Sequence, residues 1–179
     1  MKILATETKY EGSVFTVAQQ RLQFPNGNEA RWDVVQHVGA AAVVAVTPRD
    51  EMVLVRQYRT GTQKEMLELP AGRLDPDEAP AACAARELEE ETGYRAGRWR
   101  YLTGLHVTPA YCTEVIHLFA AEDAVSTGQT NPDENEFVET VLYPVADVLK
   151  MIYAGEITDA KTITGVLLYV NTRSCASAG

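Results

Sequence analysis

The chain has 179 residues and a mass of 19.7 kDa, which is the size of a single domain with a substantial hydrophobic core. Sixteen basic against 25 acidic residues give a formal net charge of −9, and this disfavours general nucleic-acid binding, which needs clustered basic side chains. With 46% hydrophobic residues and no apolar run of membrane-spanning length, the composition also argues against a disordered or a membrane-spanning chain. An acidic excess serves either solubility or cation binding, and only the positions of the carboxylates separate the two.

The cysteine content and the N-terminal sequence indicate the cellular compartment of the protein. The three cysteines lack the spacing of a metal site, and their odd number argues against a disulfide framework. Residues 1–12 contain charged side chains and no apolar core, unlike a secretory signal peptide. We therefore expect a soluble cytoplasmic protein.

The N-terminal part of the sequence predicts a β-hairpin. Residues 14–24 and 30–37 are typical of strands, and a Pro-Asn-Gly turn sequence at 25–27 lies between them. Asn and Gly tolerate the positive φ angles that tight turns between strands require. We expect residues 1–38 to form an N-terminal antiparallel β-hairpin region and residues 39–179 to form the main domain.

The main domain begins with segments that predict buried strands. Residues 40–47 form an unbroken apolar run rich in Val, which is typical of a strand buried on both faces. Residues 52–58 and 65–69 are further strand candidates, and the Pro-Ala-Gly sequence at 70–72 ends the second of them.

A helix is predicted over residues 79–92, which are rich in Ala, Leu, Glu and Arg. Asp75 or Asp77 can cap its N-terminus, and Gly93 stands where a C-terminal glycine is expected. Further strands are predicted at about residues 98–106, 114–121 and 137–143, and further helices at 144–153 and 159–172. Strands interspersed with helices in this way indicate an α/β domain.

Three carboxylates share one face near the end of the predicted helix. Residues three and four positions apart are neighbours on a helix, so Glu87 lies beside Glu90 and Glu91. Repulsion disfavours this arrangement unless a cation lies among the carboxylates, and Mg²⁺ prefers oxygen ligands. Arg86 precedes Glu90 by four residues and can pair with it. A solvated acidic helix surface is the alternative interpretation.

The residues around this face resemble the Nudix box, G-x5-E-x7-R-E-U-x-E-E-x-G-U, in which U is a bulky aliphatic residue. Gly72, Glu78 and the run 86–93 occupy every fixed position, and the one departure is Tyr94 at the final U position. The resemblance implies the Nudix hydrolase fold, a mixed β-sheet sandwiched between helices. It also implies Mg²⁺-dependent hydrolysis of a pyrophosphate bond, with Mn²⁺ as an alternative metal.

The same resemblance implies roles for residues of the box. The expected metal ligands are Ala71 (through its carbonyl group), Glu87, Glu90 and Glu91. Arg86 would orient these carboxylates. The resemblance places Arg86 and Glu90 among the expected catalytic residues. Gly72 lets the preceding loop approach the helix closely, and Glu78 has a supporting structural role.

Residues outside the box resemble the ADP-ribose pyrophosphatase subgroup of this family. Pro109 follows Tyr94 by 15 residues, as in that subgroup, although an ordinary loop proline after a strand looks the same. Arg59 and Glu68 match subgroup residues that contact the substrate, and an arginine fork suits a phosphate group. A surface ion pair is the alternative role for Arg59.

Three acidic residues compete for the role of general base. Residues 135–139 resemble the late loop of the subgroup, in which the glutamate matching Glu136 is the proposed general base. Glu134 and Glu139 are close rivals. A carboxylate on a loop can activate water for attack, and a solvated acidic loop is the alternative.

Trp32 and His37 bear on the nucleoside end of the substrate. Trp32 matches a subgroup tryptophan that stacks on adenine across a dimer, and a core role or a dimer contact without ligand are the alternatives. A subgroup arginine after that tryptophan is replaced here by His37. Because the N-terminal hairpin resembles the exchanged domain of the subgroup, we expect a homodimer.

The resemblance therefore implies hydrolysis of ADP-ribose to AMP and ribose 5-phosphate. From the acidic composition and the lack of a membrane-spanning apolar run, we expect neither nucleic acid nor a membrane as a partner. GDP-mannose or another nucleoside diphosphate sugar is the alternative substrate, because a closely similar dimeric Nudix branch hydrolyses GDP-mannose and His37 departs from the adenosine pattern. A Nudix module that binds a ligand without catalysis is the alternative class. Such modules usually lose box glutamates or gain a DNA-binding domain, whereas all the box glutamates are present here.

Overall fold

The computed structural model describes residues 1–128 and 137–176, with side chains as far as Arg173. Its helices are α1 (Pro80–Thr92), α2 (Val145–Tyr153) and α3 (Ala160–Ala176). Its strands are β1 (Lys2–Glu11), β2 (Thr16–Gln23), β3 (Glu29–Gln36), β4 (Ala40–Val46), β5 (Glu51–Arg59), β6 (Lys64–Glu68), β7 (Ala71–Arg73), β8 (Tyr94–Arg95), β9 (Arg98–His106), β10 (Val115–Glu122), β11 (Val125–Ser126) and β12 (Val138–Pro144). Of the helices in these described ranges, none has the length and apolar character that a membrane crossing requires.

The chain separates into two compact units. The first contains Met1–Gly39 and His106–Val115, and the second contains Ala40–Leu105 and the chain from Ile116 onwards. The sequence predicts a division near residue 38, but it does not predict that a later segment joins the N-terminal strands.

The first unit is built on a three-stranded antiparallel sheet in the order β1-β2-β3. The turn between β2 and β3 has Gly27 at φ 87°, and the side chain of Asn26 accepts a hydrogen bond from the Asn28 amide at 3.1 Å. Strands β2 and β3 are the predicted hairpin, and β1 is an additional strand that sequence analysis missed. Residues 2–11 are nearly all exposed, and their few apolar side chains do not alternate with polar ones as they do in a half-buried strand.

The segment 106–115 adds an irregular stretch beside β3. The Val35 amide donates to the Tyr111 carbonyl at 2.7 Å, and the Thr113 amide donates to the Val35 carbonyl at 2.9 Å. Pro109 follows Thr108, whose carbonyl accepts the Tyr111 amide at 3.2 Å, so the proline occupies the second position of a turn. Proline favours this position because its ring fixes φ near the value that the turn needs.

The second unit contains a mixed seven-stranded sheet. Its main path is β12-β5-β4-β10-β9, and β6 pairs with β5 while β7 pairs with β4. Strands β4 and β10 are parallel, whereas β4 and β12 each run antiparallel to β5. Every residue of β4 is buried, as its apolar sequence predicts.

Helices cover both faces of this sheet. Side chains alternate between the faces of a strand, so Val43 and Val44 point in opposite directions. Val43 belongs to a buried cluster with Ala84 and Leu88 of α1. On the other face α3 approaches closely, since a Cβ atom added at Gly165 would lie 3.1 Å from Val44 Cγ2. The predicted α/β fold, a mixed sheet between helices, is confirmed.

The two ends of α1 were predicted with different success. Gly93 ends the helix in the left-handed conformation at φ 67°, and its amide donates to the Glu89 carbonyl at 2.8 Å, as expected. The prediction of an aspartate cap was wrong, because Ala79 holds the N-cap position and forms no side-chain cap. Pro80 begins the helix instead, since its fixed φ suits the first turn and it has no amide proton to satisfy. Asp77 lies at φ 61° in the preceding turn.

Candidate active site

The side chain of Arg86 is the centre of the carboxylate cluster on α1. Its Nε and Nη2 atoms each donate to a different oxygen of Glu78 at 2.9 Å. Its Nη1 atom donates to Glu87 at 2.7 Å and to Glu90 at 3.0 Å. One guanidinium therefore holds three carboxylates, and the predicted pairing of Arg86 with Glu90 is confirmed. A planar fork with five N–H donors suits this task better than an ammonium group would.

The cluster alters the proton affinity of its members. Hydrogen bonds from Arg86, which outweigh burial, lower the pKa of Glu78 to about 2, and the same cluster raises the pKa of Arg86. Glu78 also accepts the Asp75 amide at 3.1 Å, so it ties the loop before α1 to the helix. Nearby, burial raises the pKa of the Cys83 thiol to about 12, and the Cys83 side chain contacts the carbonyls of Gly72 and Arg73. These facts agree with a supporting role for Glu78 and a packing role for Cys83.

Gly72 brings β7 against the carboxylate of Glu87. A Cβ atom at Gly72 would lie 1.9 Å from Glu87 Cδ and Oε1, far inside contact distance. Gly72 is held there by strand pairing, because Ala41 of β4 is its register partner. The close approach that the box glycine predicts is therefore present, and it depends on the missing side chain.

Glu91 joins the same strand from the buried side of α1. Its Oε2 atom accepts the Ala71 amide at 2.9 Å, and the residue is only 3% exposed. Ala71 lies in β7, where the sequence predicts only the end of the preceding strand. Proline cannot donate to a ladder, so Pro70 separates β6 from β7, and the chain then pairs again with β4. This local arrangement brings Ala71, Gly72 and two box glutamates together.

These residues fit a divalent cation by their chemistry. Carboxylate and carbonyl oxygens are the hard ligands that Mg²⁺ prefers, and the space beside Gly72 is one that any larger residue would fill. Over the described ranges 1–128 and 137–176, however, no three His, Cys, Asp or Glu side chains are gathered as metal ligands. The hydrogen bonds explain this, since Glu87 and Glu90 turn to Arg86 while Glu91 turns to Ala71.

The side chains of Arg59 on β5 and Glu68 on β6 meet, although the two residues are not register partners and lie towards opposite ends of the paired strands. The Arg59 Nε and Nη2 atoms donate to the two oxygens of Glu68 at 2.9 and 2.8 Å. The Glu68 side chain is 2% exposed and also binds Lys161, whereas 39% of the Arg59 side chain is exposed. Burial raises the pKa of Glu68, but Arg59 and Lys161 outweigh burial and hold it below its ordinary value. Sequence reasoning missed Lys161, because no local pattern links it to a residue on β6.

The three candidates for the general base are only partly described. Glu134 and Glu136 lie outside the described residues. Glu139 is in β12, where its carboxylate lies 3.7 Å from Arg56 and its side chain is 65% exposed. The assignment of Glu136 stays a prediction.

In the first unit, Trp32 and His37 have different environments. Trp32 is 46% exposed and packs edge-to-face on Phe24 with ring centroids 5.8 Å apart, so within this chain it is not a core residue. The His37 side chain is 9% exposed, and its Nδ1 atom accepts the Gly39 amide at 3.0 Å. The His37 amide donates to Thr113 at 2.9 Å, so this histidine fastens β3 to the 106–115 segment.

Comparison with known proteins identifies the family. The NUDIX domain matches residues 36–164. The chain is 37% identical to an ADP-ribose pyrophosphatase of Bacillus subtilis over 162 residues, which cover 90% of this chain and 88% of that protein. It is 35% identical to a GDP-mannose pyrophosphatase of Klebsiella pneumoniae over 178 residues, 95% of this chain and 83% of that protein.

A solved structure, described as the crystal structure of an ADP compounds hydrolase, superposes with a TM-score of 0.85. It is 26% identical, and the match covers 98% of this chain and 95% of that one. Nudix hydrolases generally use divalent metal cations, and the residues of β7 and α1 carry carboxylate and carbonyl oxygens of the kind that such cations bind. The complete box, the fold and these matches together establish that the chain belongs to the Nudix hydrolase family.

Proposed function

We propose that this protein hydrolyses the pyrophosphate bond of ADP-ribose, with water, to AMP and ribose 5-phosphate, and that it uses Mg²⁺. The observation that carries the proposal is the complete Nudix box folded so that Glu87 and Glu91 lie against Gly72 and Ala71. The Bacillus subtilis relative, which is similar over nine-tenths of the chain, and the ADP compounds hydrolase structure support an ADP-containing substrate.

The metal ligands and the residues that hold them are assigned first. We assign Ala71, Glu87, Glu90 and Glu91 as the metal ligands. Bound there, Mg²⁺ would neutralise the pyrophosphate oxygens and favour attack by water. Arg86 keeps Glu87 and Glu90 next to each other, and Glu78 holds Arg86. On metal binding, the carboxylates of Glu87 and Glu90 would turn from Arg86 towards the cation.

The remaining groups bind the substrate and move the proton. The partly exposed Arg59 side chain would bind a phosphate through its guanidinium group, with Glu68 fixing its orientation. Glu136 would take the proton of the attacking water. The bond from the leaving phosphate oxygen to phosphorus then breaks, which yields AMP and ribose 5-phosphate.

A second substrate has specific support. The Klebsiella pneumoniae GDP-mannose pyrophosphatase is 35% identical over nearly the whole chain, and His37 serves structure at a position where the adenosine pattern has an arginine. Chromatography of products from ADP-ribose and GDP-mannose, each with and without Mg²⁺, decides between the two. Turnover of GDP-mannose but not ADP-ribose would refute the leading substrate, and binding without turnover of either would favour a ligand-binding module.

We also propose a homodimer that is formed through the first unit. This unit exposes several large apolar side chains, each more than 40% accessible: Ile3, Tyr10, Val14, Phe15, Trp32 and Val38. Apolar side chains that are exposed in one patch usually mark an interaction surface, and we infer that these side chains do so. In a dimer, Trp32 could stack on the base of a substrate bound to the partner. Sedimentation at micromolar concentration tests this, and a monomer would contradict both the dimer and the Trp32 role.

A further inference from the structure

The strongest unexplained feature is a buried ion-pair network at the start of α3. Glu68 is nine-tenths or more buried and binds two cations, Arg59 and Lys161. Lys161 in turn lies 3.0 Å from Asp159. The network contains two positive and two negative groups and is therefore neutral. An uncompensated charge in a protein interior is costly, so a buried cluster of charges is expected to be close to neutral.

The two cations differ in what they can reach. The Lys161 side chain is 10% exposed and directs its ammonium group to Glu68 and Asp159. The Arg59 side chain is 39% exposed, so a ligand from solvent can contact its guanidinium. Lys161 is therefore a fixed counter-charge, whereas Arg59 lies between the buried carboxylate and the surface.

The start of α3 holds Lys161 in this position. Asp159 caps the helix by accepting the Thr162 amide at 2.9 Å and the Thr162 hydroxyl at 2.6 Å. The same hydroxyl accepts the Leu69 amide at 2.9 Å, which ties α3 to the residue after Glu68. Both Thr162 and Leu69 are fully buried, so the link between α3 and the loop before the Nudix box excludes water.

We propose that Lys161 is a positioning residue that keeps Glu68 compensated, so that Arg59 can bind the pyrophosphate of the substrate without leaving a buried charge behind. Without Lys161, Arg59 would be the main counter-charge of Glu68, and a phosphate would have to compete with Glu68 for it. The inference rests on the proposed function, because it takes Arg59 as a substrate-binding residue.

A double-mutant cycle tests this mechanism. Lys161→Met leaves the network with one excess negative charge, Glu68→Gln leaves one excess positive charge, and the double variant restores neutrality. Since Lys161 acts through the charge of Glu68, Lys161→Met should raise KM for ADP-ribose about tenfold, with a smaller change in kcat. In the Glu68→Gln background the same substitution should change KM less than about twofold. Lys150→Met, which removes an exposed lysine that pairs with Asp147, is the matched control and should behave as the wild type.

Calorimetric titration of inorganic pyrophosphate in the presence of Mg²⁺ repeats the cycle without turnover. A wild-type protein that binds pyrophosphate but hydrolyses no ADP-ribose would refute the proposed function and leave this inference testable. An unchanged KM and pyrophosphate affinity in Lys161→Met, or a wild type that binds no pyrophosphate, would overturn the inference. If Lys161→Met does not fold, the neutral double variant is compared with Glu68→Gln. A double variant that binds pyrophosphate about tenfold more weakly than Glu68→Gln would then overturn the inference.

Discussion

Gly72→Ala is the substitution whose effect follows most directly from the structure. The new Cβ would lie 1.9 Å from Glu87 Cδ, whereas ordinary contacts begin near 3.4 Å, so the Glu87 carboxylate must retreat by about 1.5 Å. Strand β7 cannot retreat instead without breaking its pairing with β4. A misplacement of about 1 Å in a catalytic group costs about 100-fold in rate. We therefore expect kcat/KM to fall about 100-fold or more, equivalent to ~2.7 kcal/mol of transition-state stabilisation.

Stability should change far less than activity. The atoms that clash lie at the end of a flexible side chain, and a strained rotamer costs about 0.5 to 1.5 kcal/mol. For a domain of this size such a cost lowers Tm by roughly 1 to 6 °C. The assay is the initial rate against Mg²⁺ concentration, together with thermal unfolding of the same samples. Gly61→Ala is the matched control, because nothing lies within 4 Å of a Cβ at that position.

The result that would refute this reasoning is specific. A Gly72→Ala enzyme with wild-type kcat/KM and an unchanged Mg²⁺ requirement would mean that the observed position of Glu87 does not matter for catalysis. A second check uses Glu87→Gln alone and combined with Gly72→Ala. If the glycine acts through Glu87, the double variant should be little worse than Glu87→Gln, since two changes to one contact are not additive.

Three further predictions concern α1 and the loop before it. Glu91→Gln should lose about 100-fold or more of the Mg²⁺-dependent rate, measured as product formed from ADP-ribose. Glu89→Gln, at a half-buried position where the glutamate pairs with Arg95, should stay within about twofold. Because Arg86 lowers the pKa of Glu78 to about 2 from an ordinary 4.5, ionised Glu78 stabilises the fold above pH 4.5, and this contribution is lost as the pH falls towards 2. Glu78→Gln should therefore be less stable than the wild type at pH 7, and the difference in urea unfolding should shrink below pH 4.5; a constant difference would contradict it. Cys83, with its pKa raised to about 12, should resist alkylation by iodoacetamide at pH 8 in the folded protein, as followed by mass spectrometry, and react once urea unfolds it.

The sequence predicts those parts of the fold that depend on local patterns. The apolar run of β4, the helix-forming residues of α1 and the glycine that ends this helix each impose a conformation through near neighbours, and each is present as predicted. The pairing of Arg86 with Glu90 was also predictable, because both residues lie on one helix face at a spacing of four. Local spacing and family resemblance thus account for the centre of the site.

The features that the sequence did not predict depend on contacts with distant residues or with backbone atoms. Strand β1 has no apolar alternation and is recognisable only through its pairing with β2. Lys161 lies 93 residues after Glu68, and nothing in the sequence near either residue indicates that they meet. His37 departs from the adenosine pattern of the subgroup, and only the structure gives it a role, as an acceptor for the Gly39 amide. In each case the deciding partner is distant in sequence or is a backbone atom that no side-chain pattern reports.

The acidic excess of the chain could serve solubility or cation binding, and the exposure of the carboxylates distinguishes the two uses. Carboxylates that serve solubility belong in water, as does Asp147, whose side chain is 48% exposed. Three of the box carboxylates are withdrawn from water, since the Glu78 and Glu87 side chains are 14% and 13% exposed and Glu91 is 3% exposed, whereas the Glu90 side chain is 39% exposed. Burying ionised carboxylates is costly unless cations compensate them, and Arg86 contributes a single charge to a cluster of at least three. Such a cluster is poorly suited to solubility and well suited to a divalent cation, so the excess of negative charge on this part of the chain favours the metal-dependent chemistry that we propose.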